Sequence, residues 1–261
     1  MKYLKKKKFA NGCVYLLETD DGYPVEVTDT FLPYYTKDAI GKKQNALNTS
    51  DLGSRKERWM IGVSVMSGCP VGCKFCATGG LKKCRNLTAK EICEQIDFIV
   101  SKHGHNSPKE AMEFKINYTR MGEPFLNIDA VKKAIDATSM YWPNTHHYVS
   151  TIGVKGSDFS FVKDNITLQF SIHSFSDTYR DWLIPYHHKM TLKEMGAVRT
   201  KSNRKTTLNL TLVNESDFNL DRLVKWFPKE YFFVKLSPIN PNEISDLNDI
   251  NSGVIKQTNL I

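Results

Sequence analysis

Apolar residues recur along the chain with two different periods. Runs that alternate every second residue, or that are continuously β-branched and aromatic, occur at 59–65, 113–118, 148–152, 167–172, 207–213 and 232–236. Each predicts a strand. Between most of them the apolar positions fall three and four apart, which predicts helices. Thr88-Ala-Lys-Glu91 is a capping box that opens a helix running to about residue 102, with Ile92, Ile96 and Ile99 on one face. Asn127 is placed to cap a helix over 128–140, where Val131, Ile135 and Thr138 share a side; Thr191-Leu-Lys-Glu194 and Asp217-Phe-Asn-Leu220 open two more. Strands alternating with helices predict a parallel sheet with right-handed crossovers. Six such units predict an α/β fold, a partial (β/α)6 barrel, whose site lies at the C-terminal ends of its strands.

Ahead of these units, Cys13-Val-Tyr-Leu-Leu-Glu18 and Val25-Glu-Val-Thr28 flank an Asp-Gly turn at Asp21-Gly22 and predict a β-hairpin. Residues 36–57 are polar and predict a loop. The organisation expected is a small N-terminal β-hairpin extension with its loop at 1–57, the partial barrel at 58–242, and a polar tail without clear periodicity at 243–261.

Charge and cysteine usage narrow the class. The net charge is +8, with basic clusters at Lys5 to Lys8, at Lys82, Lys83 and Arg85, and at Arg199, Lys201, Arg204 and Lys205. Such patches fit either a polyanion such as RNA or a solvated lysine-rich surface. No apolar run reaches the 18 or so residues of a membrane span, so no membrane partner is expected. The six cysteines are clustered rather than paired, which fits a reducing cytoplasm.

Three of those cysteines carry the chemistry. Cys69, Cys73 and Cys76 lie in Ser67-Gly-Cys-Pro-Val-Gly-Cys-Lys-Phe-Cys-Ala-Thr-Gly-Gly80, spaced C-x3-C-x2-C, directly after the first strand of the repeating units. Three thiolates can hold three corners of a [4Fe-4S] cluster and leave the fourth iron open. A structural zinc site would need a fourth ligand; Cys84 and Cys93 are nine apart, and His103 and His105 are poorly spaced for it. Arg120-Met-Gly-Glu-Pro-Phe-Leu-Asn127 follows the second strand, where Gly122 allows close approach and Glu123 can accept from an ammonium group. Ser150 and Ser171 end the third and fourth strands, and Asn214 ends the fifth. Arg180 could meet an anionic substrate or pair with Asp177 or Asp181. Cys13 and Cys84 read either as reactive thiols or, preferably, as small buried ones, and Cys93 as core.

The cysteine spacing, with Phe75 before the third cysteine, resembles the signature of radical S-adenosylmethionine (SAM) enzymes, in which the open iron chelates SAM and one electron cleaves it to a 5′-deoxyadenosyl radical. Over residues 12–242 or so, the motifs in order resemble the RlmN/Cfr group of RNA adenine methyltransferases. They are Asp21-Gly22 and Val25-Glu26, the cysteine run, Arg85-Asn-Leu-Thr88, Met121-Gly-Glu-Pro-Phe-Leu-Asn127, Ser150-Thr-Ile-Gly153, Ser171-Ile-His173, Ile184-Pro185, Val213-Asn214 and Pro238-Ile-Asn-Pro241. The resemblance implies a [4Fe-4S] cluster on Cys69, Cys73 and Cys76, and SAM contacts from Gly122, Glu123, Ser150, Ser171, Ile172, His173 and Asn214. It further implies Glu26 as the general base, an rRNA or tRNA substrate, and a one-electron reductant such as flavodoxin or ferredoxin.

The departures are specific. The group's reaction uses a cysteine near the C-terminus as methyl carrier and a second, seven residues before the first cluster ligand, to resolve the adduct. Here that second position is Gly62, and no cysteine follows Cys93. The chain reads as stopping about where the group's last helix would begin, and as lacking its helical N-terminal extension. Three readings remain open: RNA methylation by a radical SAM enzyme, hydrogen abstraction from a small molecule or peptide without methyl transfer, and a non-catalytic iron–sulfur protein that binds RNA.

Overall fold

The computed structural model describes residues 1–34, 52–81, 83–211, 213 and 218–251. The chain forms two compact units: Met1–Val65, Leu87–Arg120 and Asp129–His147 make the first, and Met66–Asn86, Met121–Ile128 and Tyr148–Ile261 make the second.

The first unit carries strands β1 (Lys2–Phe9), β2 (Gly12–Glu18), β3 (Pro24–Leu32), β4 (Arg58–Val63) and the later β7 (Glu113–Tyr118). β1 to β4 are antiparallel neighbours, and β4 pairs with β7 in parallel, Ile61 opposite Ile116. The expected hairpin is therefore two of three strands in a meander. β1 was hidden because Lys5 to Lys8 break any apolar alternation, and all eight of its residues are exposed. On β7 the period of two is visible: Phe114, Ile116 and Tyr118 are buried, and the residues between them less so. Helix α1 (Ala89–Val100) begins at the predicted capping box, with Thr88 accepting from the Glu91 N–H. It buries Ile92, Ile96, Ile99 and Val100, worth roughly 1.5–3 kcal/mol each. Its Gln95 receives the Ser64 N–H at 2.8 Å and donates to the Ser64 carbonyl at 3.0 Å, fixing the chain just past β4. The short α2 (Ser107–Glu110) and the long α3 (Ile128–Tyr141) follow, the latter burying Val131, Ala134, Ile135 and Thr138.

Strand β8 (Thr145–Thr151) begins in the first unit and ends in the second. In the second unit it neighbours β9 (Ile166–Ser171), followed by β10 (Thr206–Thr211) and β11 (Phe232–Ser237). β9, β10 and β11 are parallel, with Phe170 opposite Leu208 and Leu210 opposite Leu236. The six strands predicted for a partial barrel are thus β4, β7, β8, β9, β10 and β11. Helices α4 (Asp177–Leu183), α5 (Leu192–Gly196), α6 (Leu220–Trp226) and α7 (Glu243–Leu247) complete the unit. The cap of α6 is Asn219, accepting from the Arg222 N–H, two residues later than expected; Asp217 lies outside the described residues. α7 lies within the stretch expected to lack periodicity. None of the described helices is long and apolar enough to cross a membrane.

Candidate active site

The cysteine loop leaves β5 (Met66–Ser67) and returns to β6 (Arg85–Asn86), a two-stranded antiparallel closure. Inside it the turns are tight: the Cys76 N–H donates to the Cys73 carbonyl at 3.1 Å, and the Gly79 N–H to Cys76 at 3.0 Å. Cys69, Cys73 and Cys76 are free and half-buried. Burial pushes the Cys69 thiol up to about 12, with Glu123 and Cys76 adding to it. Burial also raises Cys73, reinforced by the nearby Cys76 and Cys69. Among the described residues no three His, Cys, Asp or Glu side chains stand as a preformed metal site. The donor set fits an iron–sulfur cluster in its chemistry: three soft thiols near one another, and no imidazole among them.

A hydrophobic layer supports this loop. Val71, Ile152, Leu183, Ile184, Ile239 and Ile250 form a buried cluster against which Cys69, Cys73 and Phe75 pack. The Asn242 amide donates to the Phe75 carbonyl at 3.0 Å, and the Asn248 amide to Lys74 at 3.1 Å. These two braces lie on either side of α7 and were not singled out in the sequence. A signal existed: Asn242-Glu-Ile-Ser245 is a reciprocal capping box, with the Asn242 side chain accepting from the Ser245 N–H.

Glu123 stands at the centre. It is 4% exposed. One carboxylate oxygen accepts the Phe125 N–H at 3.1 Å, capping the 3-10 turn Pro124–Leu126, and the other accepts the Ile152 N–H at 2.9 Å just past β8. Burial raises its pKa to about 7 against these hydrogen bonds. The Thr151 hydroxyl is a further donor to this carboxylate; with two lone pairs on each oxygen, the group can still accept from a ligand. Gly122 has a packing reason of its own. Its φ is 98°, and a Cβ there would lie 2.5 Å from Met66 Cβ.

At the ends of β8 and β9, Ser150 donates to Gln169 Oε1 at 2.7 Å, and buried Ile172 donates its N–H to the Asn209 carbonyl. Ser171 is the last, half-buried residue of β9. His173 takes a left-handed φ of 55°, a conformation sparsely used outside glycine. Its Nδ1 accepts the Thr211 N–H at 3.1 Å, and its ring meets Phe75 edge-on at 4.8 Å. Burial, helped by the Arg180 charge, lowers its pKa to about 3. The imidazole is therefore neutral with its proton on Nε2. Asn214 lies outside the described residues.

Arg180 is turned to backbone carbonyls. It is fully buried, donating to the carbonyls of Ile172 at 2.9 Å, Met190 at 3.0 Å and Ile152 at 3.2 Å. One guanidinium thus ties together the chain beyond β8 and beyond β9, including the peptide unit next to the Glu123 contact. Its bond to Asp177 is long, at 3.5 Å.

Glu26 belongs to the first unit, on β3 opposite Leu16. It is one-third exposed and ion-paired with Arg120. Nearby, Gly62 donates its N–H to Thr28 Oγ1 at 3.1 Å. A Cβ at Gly62 would lie 2.4 Å from that oxygen and 3.0 Å from Arg120 Cδ. Thr28 and Arg120 fill the space a larger residue would need. Cys84, expected to be buried, is exposed, because it sits on the outward approach to β6; Cys13 and Cys93 are half-buried.

A family model described as the radical SAM superfamily matches residues 63–227. A probable dual-specificity RNA methyltransferase RlmN from Dictyoglomus turgidum is 30% identical over 254 residues, covering 90% of this chain and 66% of that protein. Proteins of the same name from Thermus thermophilus and Desulfitobacterium hafniense are 33% and 34% identical, covering 72% and 73% of this chain and 56% and 57% of theirs. The chain thus spans between 56% and 66% of the length of these relatives. A radical SAM methyltransferase structure from Sphaerobacter thermophilus superposes with a TM-score of 0.63 at 22% identity, covering 92% of this chain and 67% of that one. At that identity the likeness is one of fold.

Proposed function

We propose, from the premise that the chain belongs to the radical SAM superfamily, that it is a radical SAM enzyme that modifies adenosine in RNA. The observation that carries this is the gathering of three free thiols on one tight loop with the buried carboxylate of Glu123 in one compact unit. When bound, a [4Fe-4S] cluster supplies the single electron that cleaves SAM to a 5′-deoxyadenosyl radical.

The chain's own residues hold and orient. Cys69, Cys73 and Cys76 would each give a thiolate to hold the cluster. Glu123, already fixed by two backbone N–H groups, accepts from the SAM ammonium. His173 presents Nε2–H, and Ser150, Ser171 and Ile172 supply polar atoms at the strand ends, with Asn214 as the further candidate. The layer of Val71, Ile152 and Ile184 keeps water from beneath the loop. Glu26, oriented by Arg120, takes the proton from the modified adenine. An RNA substrate accords with the charge of +8 and with what the relatives are named for; a flavodoxin- or ferredoxin-type donor supplies the electron.

Gly62 favours a second reading, hydrogen abstraction without methyl transfer. Position 62 offers no thiol, and its surroundings leave no room for one unless Thr28 and Arg120 move. The test is direct. Iron-reconstituted, reduced protein should turn SAM into 5′-deoxyadenosine, and RNA from cells with the protein should contain a methyladenosine missing without it. 5′-Deoxyadenosine with unchanged RNA would select the second reading. Neither product from cluster-replete protein would sink both.

A further inference from the structure

Arg199, Arg204 and Lys205 line a cavity of about 430 Å³ together with Ser202, Glu230 and Tyr231. It lies at the start of β10 and just ahead of β11, which run parallel with Thr206 opposite Phe232. Ile152, Ile172 and Thr211, by contrast, lie at the C-terminal ends of their strands. The six residues of β10 span about 20 Å at a strand's rise per residue. The cavity is therefore a separate place on the same unit.

Two of its cations are held in position. Arg199 Nη1 donates to the Gly196 and Val198 carbonyls, both at 2.8 Å, while its guanidinium lies 4.0 Å over the Tyr231 ring. Those two bonds leave the N–H groups on Nε and Nη2, in the fork geometry that suits a phosphate. Lys205 Nζ donates to the Lys229 carbonyl at 2.6 Å, which leaves two further N–H groups. Arg204 is exposed at the mouth, and Tyr231 is 50% exposed. Three cations face one carboxylate, Glu230, around a concavity, which concentrates positive potential.

We propose that this cavity is a phosphate-binding subsite, taking a phosphodiester of the RNA backbone while Tyr231 offers a ring to a neighbouring base. The assignment of the phosphate to RNA rests on the substrate reading above.

The experiment is binding of a mixed-sequence 15-nucleotide single-stranded RNA by fluorescence anisotropy, from 0.05 to 0.3 M salt, together with inorganic pyrophosphate by calorimetry. The proteins are wild type, R204A/K205A, and K90A/K133A as a control that removes equal charge from α1 and α3. Losing two phosphate contacts should flatten the salt slope by about 1.4 and weaken binding roughly 25-fold at 0.1 M. The control should keep the wild-type slope. Equal slopes in all three proteins, or equal flattening in both variants, would overturn the subsite. If wild type ignores RNA but binds pyrophosphate in a manner lost only in R204A/K205A, the RNA reading falls and the phosphate subsite stands. Binding of neither probe would overturn it.

Discussion

Asp29 in the first unit and Glu123 in the second are both buried carboxylates, and they are held in opposite ways. Asp29 meets a bidentate Arg55 at 3.0 and 2.7 Å, Trp59 Nε1 at 2.8 Å and His103 Nε2 at 3.1 Å. Burial alone would raise its pKa, but Arg55, Trp59 and His103 together hold it below the ordinary value. Glu123 has only N–H and hydroxyl donors among the described residues, and burial wins. The first carboxylate is completed by its own cation and serves the fold. The second keeps capacity for a cation that the described residues do not supply, which is what a binding group requires.

The largest break in this contrast lies beside Glu123. Cys73→Ala should remove the brown cluster absorbance and all 5′-deoxyadenosine production, read by iron content and product assay, because two thiolates hold such a cluster poorly. Next is Arg180→Leu. It strands three carbonyls that now share one guanidinium, and unfolding in urea should show a loss of about 3–5 kcal/mol. Arg180→Lys should recover part of it.

Asp29→Ala leaves the buried Trp59 N–H and one face of Arg55 unpaired, and should cost about 2–4 kcal/mol without altering SAM affinity. A large loss of SAM binding in that variant would dissolve the contrast. Glu123→Gln should do the reverse: SAM affinity falls about tenfold or more by calorimetry, the loss expected for one charge-assisted hydrogen bond, with a smaller change in stability.

The two carboxylates should also titrate with opposite sign. Because the folded pKa of Glu123 is raised from 4.5 to about 7, its contribution is fully present below 4.5 and is lost as pH climbs from 4.5 to 7. For Asp29 the folded pKa is lowered, so its contribution is present above about 4, the ordinary value, and is lost as pH falls through the folded pKa. Melting of metal-free wild type and E123Q between pH 4.5 and 7 should show wild type losing stability relative to E123Q as pH rises; equal slopes would refute the assignment. His147 and His173 work against it in the same window, since burial lowers both to about 3 and stability drops as pH falls below 6.5, which is why the difference between the two proteins is read. The smallest effect belongs to Glu26→Gln. A one-third exposed ion pair contributes about 1 kcal/mol or less, so the variant should fold as wild type does and lose only RNA modification.

The sequence by itself determined the cysteine loop, the six strands, the capped helices α1 and α5, and helix α3. Each of these is written in local spacing: C-x3-C-x2-C, alternation every two residues, apolar positions three and four apart, a hydroxyl three residues before a carboxylate. Only the tertiary structure decided the partners. Arg180 and Asp177 are three apart, and nothing local shows that the guanidinium turns instead to carbonyls at Ile152, Ile172 and Met190. The braces at Asn242 and Asn248 reach back 167 and 174 residues to the cysteine loop, far beyond any pattern that spacing can encode. The opposite fates of Asp29 and Glu123 have the same origin. A carboxylate's charge state follows from how deeply it is buried and whether a cation arrives from a distant part of the chain, and chain order records neither.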